Sequence, residues 1–173
     1  MNLKKFTDTS LTNLSRAADM LCLCIGDPRT IEIKSPKGTI TKKVSDYAIH
    51  FQCQWRFVKG SQILLASHDI YNPYDESLVH ENWDWDICGR EKEQSSVFDV
   101  RSKELINEFP LKIRNIYYAD TCDLHIDFDK AIYFETFISD STKREFYRAI
   151  DNITREHTVV FDVDYSGEVG FYE

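Results

Sequence analysis

The stretch Tyr47-Ala48-Ile49-His50-Phe51-Gln52-Cys53-Gln54-Trp55-Arg56-Phe57-Val58-Lys59-Gly60-Ser61-Gln62-Ile63-Leu64-Leu65-Ala66 decides the fold. Ile49, Phe51, Cys53, Trp55 and Phe57 alternate with His50, Gln52, Gln54 and Arg56, the period of two that sends one face of a strand into a core and the other into solvent. Lys59-Gly60 offers a two-residue turn and a second apolar run follows it, so the stretch reads as a hairpin. With Val58 opposite Ser61, Trp55 faces Leu64, Cys53 faces Ala66, Gln52 faces Ser67 and His50 faces Asp69.

On the N-terminal side, Leu21 to Gly26 reads as a buried strand, preceded by a short helix or turn over Leu11 to Met20. Ile31 to Ile33 and Thr39 to Val44 flank Ser35-Pro36-Lys37-Gly38, which is strong turn chemistry, so a second hairpin with polar outer positions is expected at a sheet edge. On the C-terminal side, Tyr71 to Gln94 is a long polar segment, the kind of connection that compact domains use mainly for function. Ser96 or Asp99 caps a helix that runs to about Phe109 and stops at Pro110. Lys112 to Tyr118, Cys122 to Phe128 and Ala131 to Ile138 read as meander strands, with Leu124, Ile126 and Phe128 on one face. Thr142 to Asn152 has a helical stripe in Phe146, Ala149, Ile150 and Ile153. Thr158 to Val163 and Glu168 to Tyr172 close the chain as a last strand pair.

The fold class is therefore α+β: a mostly antiparallel β-sheet of hairpins and meander with two or three helices packed on it. No linker or repeat interrupts residues 1–173, and they read as one domain, the one hint of a lobe boundary falling near Phe109. A chain of 173 residues, 42% hydrophobic, can bury a substantial core without a disulfide framework.

Charge and composition narrow the function classes. The net charge of −8 opposes attraction to phosphate backbones, so nucleic acid is not an expected partner. Thr7 to Ser10 interrupt what would have to be an apolar run in a signal peptide, and no stretch approaches the ~20 apolar residues of a membrane-spanning helix. A cytoplasmic protein without membrane contact is expected. Cys22, Cys24, Cys53, Cys88 and Cys122 are odd in number, irregularly spaced and lack any CxxC pair, which fits reduced thiols and no structural metal. The phosphate-loop, dinucleotide, zincin and EF-hand patterns are all missing, so no cofactor and no catalytic residue is expected.

Two constellations remain. The first is Tyr71, Tyr74, Glu81, Trp83, Asp84, Trp85 and Asp86, where aromatic rings among carboxylates suit a basic protein partner: rings supply contact area, acids supply steering. Trp83 and Trp85 serve equally well as core plugs. The second is a polar sheet face of His50, Ser67, Asp69, His125 and Asp127, which an enzyme or small-ligand binder would use. His125, Asp127 and Asp129 on one strand face, with Glu135 opposite, could also grip a divalent cation, against the simpler reading of a solvated sheet face.

The block Ala48-Ile49-His50-Phe51-Gln52-Cys53-Gln54-Trp55-Arg56-Phe57 followed by Ile63-Leu64-Leu65-Ala66-Ser67-His68-Asp69-Ile70-Tyr71 resembles a strand-turn-strand unit of small uncharacterised bacterial proteins. In its small, acidic, motif-free character the chain is also similar to immunity proteins that neutralise bacterial toxins. That likeness implies a protein partner and no enzymatic activity, and it carries over no functional residue. The expectation is a non-enzymatic protein-binding domain, with the His/Asp face as the alternative.

Overall fold

The computed structural model describes residues 3–36, 38–78, 83–86, 95–109, 111–139, 145–154, 159–163 and 169–172. It is dominated by antiparallel sheet. In chain order the strands are β1 (Ser10–Ala17), β2 (Met20–Ser35), β3 (Gly38–Phe51), β4 (Gln54–Lys59), β5 (Gln62–Ala66), β6 (Leu111–Tyr118), β7 (Leu124–Phe128), β8 (Ile132–Phe137), β9 (Glu145–Asp151), β10 (Val159–Val163) and β11 (Val169–Tyr172). The helix α1 (Val97–Glu108) lies between β5 and β6 in the chain. The strand order is β11-β10-β9-β3-β2-β1-β6-β7-β8-β4-β5.

This order has a geometric consequence. Five strands stand between β3 and β4, yet only Gln52 and Cys53 join them in the chain. At about 4.8 Å per strand a flat sheet would hold β3 and β4 some 29 Å apart. Three Cα steps reach about 11 Å at most. The sheet must therefore roll until β3 and β4 meet. The packing agrees: Phe51 of β3 touches Phe134 of β8 with ring centroids 5.0 Å apart, and the Gln52 amide donates to the Phe146 carbonyl of β9 at 2.7 Å.

The inside of the roll is the core. Leu21, Leu23 and Ile25 of β2, Ile49 and Phe51 of β3, Trp55 and Phe57 of β4, and Leu124, Ile126 and Phe128 of β7 all point into it. The two halves of the sheet join where Ser10 and Leu11 pair with Lys112 and Leu111, a short seam that the backbone hydrogen bonds of Asp8 and Thr9 with Ile113 extend. Helix α1 packs on β1 and β5, and Phe98 meets Trp55 edge to face at 5.9 Å.

Several expected elements take a different form. Leu11 to Met20 is most of strand β1 and the turn into β2, and Thr142 to Asn152 contains strand β9; α1 is the one α-helix among the described residues. Both misread strands carry a bulge. In β1 the register slips between Leu11 and Asn13, which brings Leu11 and Leu14 to one face although they are three apart. In β9 Phe146 is the extra residue opposite Phe161 and Asp162, so Phe146, Tyr147 and Ala149 are all buried. Each bulge turns a period of two into a false helical stripe.

The decisive stretch also differs in detail. Gln52 and Cys53 break it, so His50 pairs with Cys22 and Arg148 instead of facing Asp69. Its turn is Gly60-Ser61, flanked by Lys59 and Gln62, because Gly60 adopts a φ of 59° that only glycine accepts cheaply. A bulge at Leu64 then sets Phe57 against Leu65 and Arg56 against Ala66.

The hairpin around Ser35 and Gly38 forms, but it is more than a sheet edge. β2 pairs with β1 only through Met20–Ile25, and β3 with β9 only through Tyr47–Phe51. Beyond the bulge at Gly26, and past the hydrogen bonds of Asn152 to Ser45 and Asp46, the two strands have no other strand partner among the described residues and form a ribbon exposed along most of its length. Gly26 holds a φ of 82°, and a Cβ there would lie 2.8 Å from Asp46, whose carboxylate instead accepts from the Asp27 amide.

Candidate interaction surface

Ser96 and Asp99 form a capping box that starts α1: Asp99 N donates to Ser96 Oγ, and Asp99 Oδ2 accepts from Ser96 N. The same carboxylate receives Arg16 of β1 at two points, Nε to Oδ1 at 3.0 Å and Nη2 to Oδ2 at 3.1 Å. Burial pushes the Asp99 carboxyl upward, but the Arg16 and Ser96 hydrogen bonds outweigh it and hold the group below its ordinary value. Arg16 has donors left over. Nη2 also reaches the Trp85 carbonyl at 2.8 Å and Nη1 the Ala18 carbonyl at 3.0 Å. One guanidinium thus fixes the helix start, the Trp85 segment and the β1–β2 turn.

The segment after β5 is pinned on its other side. Pro73 bridges to Ser96, Tyr74 N donates to Ser95 O at 2.9 Å and Val97 N to Asn72 O at 2.8 Å. Tyr71 then stands edge to face against Trp85, with centroids 5.0 Å apart. Trp85 is half-buried and packs on the core, while Trp83 is half-buried with its indole Nε1 unpartnered among the described residues. The exposed rings are Tyr71 at 41% and Tyr74 at 51%. The carboxylates of Asp19, Asp75, Glu76 and Asp86 are exposed as well, and no Lys or Arg occurs from Tyr71 to Asp86. Asp84 accepts from the Asp86 amide and Asp75 from Ser77, so both acids also shape local turns. Glu81 lies outside the described residues, as does Cys88.

A cleft of about 230 Å³ opens beside Tyr71. Asp19 enters from the β1–β2 turn, Gln52 from the β3–β4 link, Gln54 from the start of β4, and Ser67, His68 and Tyr71 from the 3-10 turn after β5 and its end. The Tyr71 hydroxyl donates to Asp19 Oδ2 at 3.3 Å, a long contact. Ala18, next to Asp19, holds a φ of 52°, a left-handed conformation that costs a non-glycine residue about 1 kcal/mol. Asp19 and the cleft had no signal in the sequence. The turn is set by Arg16, and the link by the roll of the sheet.

The polar sheet face divides. His125 Nε2 and Asp127 Oδ1 lie 2.9 Å apart on β7, with the imidazole between the rings of Tyr117 at 4.9 Å and Tyr133 at 5.2 Å. His50 sits on β3 beside Cys22 and Arg148; burial, then the cations Arg148 and Lys42, lower its pKa. Ser67 lines the cleft, and Asp69 accepts the Ala66 amide at 2.8 Å. These five side chains do not form one constellation. Asp129 takes the Lys112 amide and Glu135 pairs with Arg56; among the described residues no group of three His, Cys, Asp or Glu is arranged to hold a metal ion. Among the same residues no helix is long and apolar enough to cross a membrane.

Comparison with protein-family models, with curated proteins and with solved structures finds no match, so the fold and surface described above rest on the residues of this chain.

Proposed function

We propose that the chain is a non-enzymatic protein-binding domain that docks a basic partner through the Tyr71–Asp86 surface, neutralisation of a toxin being one concrete form. One observation carries the reading. Tyr71 and Tyr74 are exposed on a segment anchored to α1 through its backbone and to Arg16 through Trp85, among carboxylates and without a lysine or arginine of its own. Pre-anchored rings lose little entropy on docking, and the acids steer a basic surface and repel acidic ones.

Tyr74 gives the cleanest test because its side chain is exposed and its anchoring hydrogen bond is made by the backbone. Tyr74→Ala leaves the unfolding midpoint unchanged and weakens the captured partner about tenfold or more, the usual scale for a central aromatic anchor. Unchanged affinity in this folded variant overturns the reading and returns weight to a small-ligand or enzymatic role for the His125–Asp127 face.

A further inference from the structure

We infer that the cleft beside Tyr71 is a socket for one arginine side chain of the partner, with the Asp19 carboxylate as its counter-ion. The inference rests on the protein-binding reading and names what the surface grips.

Size comes first. A cleft of about 230 Å³ falls below the ~300 Å³ at which small-molecule sites usually begin, yet it has room for one long side chain. Among the described residues its single formally charged wall group is Asp19, and none of the described lysines or arginines lines it. Asp19 receives only the long Tyr71 contact on Oδ2, which leaves Oδ1 without a partner among the described residues. Gln52 turns its amide nitrogen towards Met20 Sδ at 3.8 Å and so keeps its carbonyl oxygen for another donor. Gln54 and Ser67 add oxygens with no partner of their own among the described residues.

The wall is therefore a set of spread acceptors around one carboxylate, next to the ring of Tyr71. A planar guanidinium carries five donors and stacks on aromatic faces; an ammonium concentrates three donors on one point. The arrangement suits the former. Arg16 is committed to Asp99, Trp85 and Ala18, and it holds in place both the turn that presents Asp19 and the Trp85 against which Tyr71 rests.

The test uses the whole chain, isotopically labelled, titrated with N-acetyl-arginine methylamide and then with the lysine and glutamate analogues. The arginine probe shifts the amides of residues 19, 52–54 and 67–71 saturably, and its affinity is roughly tenfold weaker in Asp19→Asn. The lysine analogue binds more weakly and the glutamate analogue leaves these amides unmoved. No saturable shift, equal binding of the lysine analogue, or an unaltered response in a folded Asp19→Asn protein overturns the socket. Such a failure is separable from that of the protein-binding reading, because the probe needs no partner and Tyr74 does not line the cleft.

Discussion

Arg16 and Asp99, 83 residues apart, form a two-point ion pair whose side chains are only 7% and 13% exposed, and the same arginine holds the carbonyls of Ala18 and Trp85. The pair links strand β1, helix α1 and the candidate surface. Removing one partner strands a nearly buried charge. Arg16→Met is expected to cost about 3 kcal/mol by chemical denaturation, at the lower end of broken buried pairs. It also releases the Trp85 segment, which tryptophan fluorescence of the folded variant reports. A loss below about 1 kcal/mol with unchanged fluorescence would show that the segment is held by other contacts.

The acid side of the stability profile carries the same signature. Asp99 and Asp151 both titrate below the ordinary carboxyl value of 3.8 in the folded chain: burial opposes the shift in each, and hydrogen bonds from Arg16 and Ser96, or from Lys5, Thr154 and Ile153, outweigh it. The unfolded chain binds these protons first as pH falls. Their contribution is therefore complete above the unfolded value and is lost as pH drops through the lower folded values. Stability is expected to decline below about pH 4, and Asp99→Asn makes that limb shallower. An unchanged acid limb in Asp99→Asn would contradict the assignment.

Burial, then the neighbouring Cys24, pushes the Cys22 thiol from 9.0 up to about 11. Such a shift cuts the thiolate fraction roughly 100-fold at neutral pH, and the thiolate is the nucleophile. Timed alkylation with peptide mapping is expected to show Cys22 labelled far more slowly in the native protein than in urea. Equal rates would mean that this sheet face is open.

Between residues 29 and 43 the described part of the ribbon of β2 and β3 holds Arg29, Lys34, Lys42 and Lys43 against the one acid Glu32, and Ile33 and Ile40 form an exposed cross-strand pair on it. Little of it touches the core. Replacing residues 31–42 with an Asn-Gly turn between the paired Thr30 and Lys43 is expected to change stability by less than about 1 kcal/mol. Loss of cooperative unfolding would show that the ribbon supports the body.

The sequence reveals those parts of the fold where local period and tertiary position agree. Leu124, Ile126 and Phe128 alternate cleanly because β7 is an interior strand with no bulge between it and β8. The helix start was legible because Ser96 and Asp99 sit at capping spacing. Bulges at Leu11–Asn13 and at Phe146 defeated the same reasoning, since one extra residue moves side chains three apart to one face. The break at Gln52–Cys53 left no mark either: Phe51, Trp55 and Phe57 keep their odd-numbered alternation on both sides of it. For the surface, the aromatic and acidic composition was readable. That Trp85 is half-buried and Tyr71 and Tyr74 carry the exposure depends on Arg16, 69 residues from Trp85.

The most direct test of the central claim is affinity capture from the source cells with wild-type protein and Tyr74→Ala side by side, at about 50 mM and about 500 mM salt. Docking through the acidic tyrosine surface predicts one stoichiometric basic partner on the wild type, weakened by salt and lost from the variant. A partner held equally by both proteins and indifferent to salt, or no partner on a folded wild-type protein, would contradict it.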